Sequence, residues 1–206
     1  MEFGSTSILL LLVSLVVAIS IHEAMHAFVA HWLGDPTAAD EGRLTLNPLA
    51  HIDLFATVLL PLLLITFGLP PILAAKPVPF NPDRVKFDEF GAALVGIAGP
   101  VTNLVLAVVT ALMLNLLQPE FGSVLRQGLL TFMQLNVGLF VFNMLPIPPL
   151  DGSRLLYAFA PQPLQKLMLQ IEQFGLFAII AILLVLSPLI FPIINTVNDF
   201  ILRLLV

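Results

Sequence analysis

Residues 20–32 read SIHEAMHAFVAHW, and they close an apolar run that opens at Thr6. Residues 6–33 form one long segment, stopped by Gly34, Asp35 and Pro36. Glycine after a last turn and proline beyond it are helix stop signals. At 1.5 Å per residue, a helix of this length crosses a hydrocarbon core of about 30 Å. Ile8 to His22 covers about 21 Å of rise. His22, Glu23 and His26 therefore sit past the middle of the span, nearer its C-terminal side but within the membrane. Ionisable side chains are costly there, and they mark functional sites by default.

Composition agrees with a membrane chain. Of the 206 residues, 59% are hydrophobic and 10% charged, against about 45–50% and about 25% in a soluble domain. One domain is expected over 6–206, after a first five residues, MEFGS, that resemble a cloning scar. The net charge of −5 is spread thinly, with no basic stripe, so nothing points to nucleic acid. Cysteine is absent. Disulfides and thiolate metal sites are excluded, and a metal must be held by nitrogen and oxygen.

Working outward from the first helix, residues 35–51 are polar and turn-rich. Within them RLTLN, 43–47, alternates like a short strand. Residues 54–69 are apolar but short and contain Pro61, which suits a re-entrant segment better than a span. AKPVPFNP, 75–82, is proline-rich and extended, an edge strand or polyproline-like stretch. Two further long apolar segments cover 89–117, interrupted at Gly99-Pro100, and 123–145, broken by PIPPLDG at 146–152. Residues 153–168 suggest a short interfacial helix, and 171–203 a last span containing Pro188 and Pro192. The expected fold is an all-α polytopic membrane protein: about four spanning helices, a re-entrant segment and short membrane-associated β-strands.

With the first helix running outside to inside and 54–69 dipping without crossing, Arg43, Lys76, Arg84, Lys86, Arg154 and Lys166 lie inside, and Arg126 and Arg203 outside. Six against two obeys the positive-inside rule, and a full crossing at 54–69 would abolish the bias.

HEAMH, 22–26, is HExxH on a helix. Residues i and i+4 share one face, so His22 and His26 can bind one zinc. Glu23 adjoins the pair and can take a proton from a water that the metal acidifies. A catalytic zinc needs a third protein ligand and an open position. The third-histidine position of the metzincin pattern holds Trp32, and His31 lies about half a turn out of phase with His22. Asp151, His51 and Asp53 remain as candidates. Asp151 is favoured, because the prolines before it unwind the chain, and unwound backbone at membrane depth occurs around a protein-lined cavity. His51 and Asp53 suit a helix-capping loop.

HEAMH (22–26), GPVTN (99–103) and NMLPIPPLDG (143–152) occur in that order. The set resembles the site-2 proteases, intramembrane zinc metalloproteases. GRLTLNPLAHID (42–53) and AKPVPFNP resemble the compact prokaryotic branch without a PDZ domain. The stretch read here also shows neither a CBS module nor a span before the HExxH helix. The resemblance implies one zinc per chain on His22, His26 and Asp151, with Glu23 as catalytic base. It implies a place near the metal for Asn143, as an oxyanion or substrate donor. For Asn103 it leaves open packing between helices or a polar contact near the site. It implies transmembrane proteins as substrates and a prokaryotic cytoplasmic membrane, with the active site nearer the cytoplasmic face.

A helical substrate must unwind before attack, and an exposed strand edge can hold it extended. Leu44, Leu46 and Val78 are the expected edge residues, and with Asn103 they make up the candidate substrate-binding set. Two other readings fit intramembrane His and Asp: a metal-ion transporter, or an inactive scaffold that binds membrane helices. Oligomeric state is not legible.

Overall fold

The structure is a computed structural model, and it describes residues 5–51 and 78–205. Among these residues seven α-helices follow in order: α1 Ser5–Trp32, α2 Thr37–Asp40, α3 Asp88–Leu117, α4 Val124–Asn143, α5 Gly152–Phe159, α6 Gln162–Glu172 and α7 Leu176–Leu205. Four of them, α1, α3, α4 and α7, are long and apolar enough to cross a membrane. Their bounds follow local chemistry. Asp88 and Glu89 open α3, where acidic side chains meet the positive end of the helix dipole. The Ser123 hydroxyl caps α4 by accepting from the Arg126 amide.

Helix α3 is central and packs against α1, α4 and α5, while α7 lies against α4. Close packing follows from small residues. Ala92, Gly96, Gly99, Asn103, Ala107 and Ala111 recur at three- or four-residue spacing on the buried side of α3. Ala18, Ala24, Ala27 and Ala30 are fully buried on α1. Lipid tails are as apolar as leucine, so helices in a membrane associate through such close backbone approach. Larger side chains finish the far end. Met133, Val137 and Val141 of α4 meet Ala107 and Ala111 of α3, and Ile190 and Ile194 of α7.

The short strands are not found among the described residues. Residues 43–47, including Leu44 and Leu46, form a bend. The Arg43 amide donates to Ala38 O, the Thr45 amide to Arg43 O, and the Arg43 guanidinium to Ala50 O. His51 Nε2 donates to Thr45 O. Alternation favoured a strand, but these groups are satisfied by near neighbours, leaving no ladder to form. Residues 78–81 are also without a ladder. Their amides serve other partners: Val78 N–H goes to Glu23 and Asn81 N–H to Asp35, and Pro79 has none. The expected re-entrant segment, 54–69, lies outside the described residues, as do Asp53 and residues 75–77. The interfacial helix at 153–168 is two helices, α5 and α6, parted at Ala160-Pro161.

Asp35 ties the end of α1 to the 78–81 strap. It is fully buried. Its carboxylate accepts from the Thr37 hydroxyl at 2.5 Å, the Thr37 amide at 3.1 Å and the Asn81 amide at 2.6 Å. Burial opposes the charge, but these donors and Arg84 outweigh it and hold the carboxyl below its ordinary range. A lowered native pKa stabilises the fold above the unfolded value, and the contribution is lost as pH falls through the native value. Asp35→Ala leaves buried donors unpaired and is expected to cost about 2–3 kcal/mol at neutral pH. The deficit should shrink towards acid pH. Thermal melting of both proteins across pH 3–7 checks this, and a pH-independent deficit would contradict it.

Candidate metal centre

Helix α1 puts His22 and His26 on one face, and both are buried. Each ring is held from behind. His26 Nδ1 donates to the Val95 carbonyl of α3 at 2.7 Å, and His22 Nδ1 lies 2.6 Å from Asn103 Oδ1. With protons on both Nδ1 atoms, both Nε2 lone pairs face inward. They meet each other at 3.1 Å, and Asp151 Oδ2 lies 3.1 Å from His22 Nε2 and 3.5 Å from His26 Nε2.

This triangle is a test of metal fit. Three acceptors converge with no donor among them, an arrangement that a cation satisfies. Ligands at about 2.0–2.2 Å around a tetrahedral zinc lie about 3.4 Å apart, close to the sides of the triangle. The donor set of two imidazoles and a carboxylate suits zinc and leaves a fourth position open.

Asp151 arrives from the turn that follows α4. Leu145, Ile147 and Leu150 close it through local backbone bonds, and Gly152 allows it to pass the Met144 backbone, where a Cβ would clash. Gly96 admits the Asp151 carbonyl to α3 at the distance of a tight Cβ contact. Glycine in α3 is decisive once more at Gly99. A Cβ there would lie 2.6 Å from His22 Nε2 and closer still to His26 Nε2.

Glu23 is half-buried beside the triangle. Its Oε2 accepts from the Val78 amide at 3.2 Å. The strap is clasped further on, where the Arg154 guanidinium lies 5.6 Å above the Phe80 ring and pairs with Glu172.

Of the candidates for the third ligand among the described residues, Asp151 is brought to the histidines. His51 is buried 1% exposed in the 43–51 bend and turned to Thr45, and Asp53 lies outside the described residues. His31 is exposed. Asn143, one turn of chain before the Asp151 loop, donates to Leu139 O within α4. Leu44 is half-buried and Leu46 is exposed. Asn103 shows both features left open for it, a contact with His22 of α1 and a hydrogen bond across to α4. Sequence reasoning missed Asn136 of α4, whose Oδ1 accepts from Asn103 Nδ2 at 2.8 Å. The available signal was an amide in an apolar helix, two turns before Asn143 and so on the same face.

Fold and site together define a helical protein with four helices of membrane-spanning length among the described residues and a His-His-Asp cluster suited to a metal. Its relatives specify the family. The chain is 38% identical over 205 residues to YwhC of Bacillus subtilis, named as a proposed zinc metalloprotease, covering 94% of this chain and 90% of that one. Rip2 of Mycolicibacterium smegmatis, similarly named, is 30% identical over 88% of this chain and 68% of its own. MJ0611 of Methanocaldococcus jannaschii, also so named, is 33% identical over 75% and 74%. No family model and no solved structure matches. The chain belongs to the zinc metalloprotease family of these relatives, consistent with the resemblance to the compact site-2 proteases.

Proposed function

We propose that the chain is an intramembrane endopeptidase that hydrolyses peptide bonds in or near the transmembrane helices of other proteins. The observation that carries this is the convergence of His22, His26 and Asp151 beside Glu23 on a helix long and apolar enough to span a membrane. His22 is ten residues before the end of α1, about 15 Å of rise, so the chemistry occurs at membrane depth. The positive-inside count supports a site nearer the cytoplasmic face.

His22, His26 and Asp151 would hold one zinc per chain. Bound zinc supplies Lewis acidity, lowering the pKa of water to about 7 and polarising a carbonyl. Glu23 accepts the proton of the attacking water and passes it to the leaving amine. The Val78 amide holds one carboxylate oxygen of Glu23, which orients the other for that transfer. Asn143 has a second amide hydrogen beyond its bond to Leu139. It would donate to substrate or to the oxyanion. The bond from Val78 to Glu23 supports a substrate contact beside Val78. The substrate class follows from depth: the peptide bonds that reach this level belong to membrane helices.

Purified chain in proteoliposomes, mixed with a single-span substrate, is expected to generate new termini within or beside the span. A zinc chelator should stop cleavage, and added zinc should restore it. Zinc flux without cleavage would replace this reading with transport. Substrate capture without cleavage in the zinc-loaded chain would replace it with a scaffold.

A further inference from the structure

We infer that Asn136 is a positioning residue, which sets through Asn103 the tautomer of His22 that leaves Nε2 free for a metal. The inference deepens the metalloprotease reading and rests on it for the role of zinc. The observation is a chain of buried amides crossing three helices. His22 Nδ1 lies 2.6 Å from Asn103 Oδ1, Asn103 Nδ2 is 2.8 Å from Asn136 Oδ1, and Asn136 Nδ2 is 2.8 Å from Phe132 O. Both asparagines are fully buried, so water does not compete for these bonds.

A side-chain amide has nearly the same shape with its oxygen and nitrogen exchanged. Packing alone does not choose between the two. The choice is made at the end of the chain, where the Phe132 carbonyl can only accept. Asn136 must therefore give it Nδ2 and turn Oδ1 towards Asn103. Asn103 must answer with Nδ2 and turn its own Oδ1 towards His22. His22 must then carry its proton on Nδ1. A backbone carbonyl of α4 thus selects the tautomer of a side chain on α1.

The selection is needed because the other side of the ring pulls the opposite way. His22 Nε2 faces His26 Nε2 and Asp151 Oδ2, both at 3.1 Å. Two acceptors there would welcome a proton on Nε2, the atom that must be free for zinc. With Asn103 released to turn over, its NH2 would ask for a lone pair on Nδ1, and the proton would settle on Nε2. The Asn136 acceptor opposes that turn. His26 needs no such relay, because Val95 O meets its Nδ1 directly.

Two variants separate this role from packing. Leucine has the branching of asparagine without its polar atoms, so Asn136→Leu removes the acceptor and keeps the shape. Aspartate, neutral when buried, keeps an acceptor for Asn103 and an O–H for Phe132, so Asn136→Asp keeps the relay. The full chain in detergent is tested by zinc competition with a chelator, and by nitrogen-15 NMR of labelled histidine after zinc removal. Asn136→Leu should weaken zinc binding about 10–100-fold, the range of other groups that orient metal ligands. Asn136→Asp should stay within about threefold. The unmutated chain should show a proton on Nδ1 of His22, and Asn136→Leu a loss of it.

A folded Asn136→Leu chain with unchanged zinc affinity overturns the inference, as does Asn136→Asp losing as much as leucine. A bare Nδ1 on His22 in the unmutated chain overturns it even where Asn136→Leu fails to fold. The reading beneath it fails differently: an unmutated chain without zinc-dependent cleavage defeats the protease assignment and leaves the tautomer result standing.

Discussion

Glu23→Gln should lower the rate of substrate cleavage by about 10³-fold or more, at the upper part of the range for a lost general acid–base, while zinc stays bound. Glutamine has the size of glutamate, and its amide oxygen still accepts from Val78 N–H, the bond that Glu23 Oε2 makes at 3.2 Å. The His22, His26 and Asp151 triangle does not include Glu23, so the zinc donors are untouched. What disappears is the ability to take a proton from water and return it to an amine. Zinc content per chain and cleavage rate, measured on the same preparation, read the two functions separately. A variant that cleaves at near the unmutated rate removes Glu23 from the mechanism, and one that loses zinc as well makes its role structural.

Gly99→Ala should separate the metal site from the fold in the opposite direction. The added methyl would lie 2.6 Å from His22 Nε2 and closer to His26 Nε2. Both rings are pinned from behind, by Asn103 and by the Val95 carbonyl, so neither can retreat without breaking a buried hydrogen bond. Overpacking of this kind costs about 1–3 kcal/mol, equivalent to about 5–150-fold in zinc affinity. Within a helix, though, alanine is favoured over glycine by about 1 kcal/mol. The zinc-free variant should therefore melt near the unmutated temperature while zinc binding and cleavage collapse together. Unchanged zinc affinity would show that the rings are free to move, and would weaken the case for a preformed centre.

Much of this was legible from local patterns. The long apolar segments became helices with bounds within a few residues, since membrane backbone must satisfy its own hydrogen bonds. The pairing of His22 with His26 needed only the four-residue spacing of one helix face. The strand expected at 43–47 failed for a reason the alternation could not show: Arg43 and His51 turn back on carbonyls of their own bend. The role of Asn136 was hidden because a lone amide in an apolar helix does not name its partner.

The sequence by itself determined the class of protein, the helices and two of the three converging ligands, because composition, apolar run length and i,i+4 spacing act within a segment. Only the tertiary structure decided between Asp151 and His51, with Asp53 outside the described residues: it brings Asp151, 125 residues beyond His26, to the histidines and leaves His51 in a bend of its own. It did so through close backbone approach. Glycines at 96, 99 and 152 leave room for α1, α3 and the Asp151 turn to meet. A contact made by the absence of a side chain has no periodicity to read.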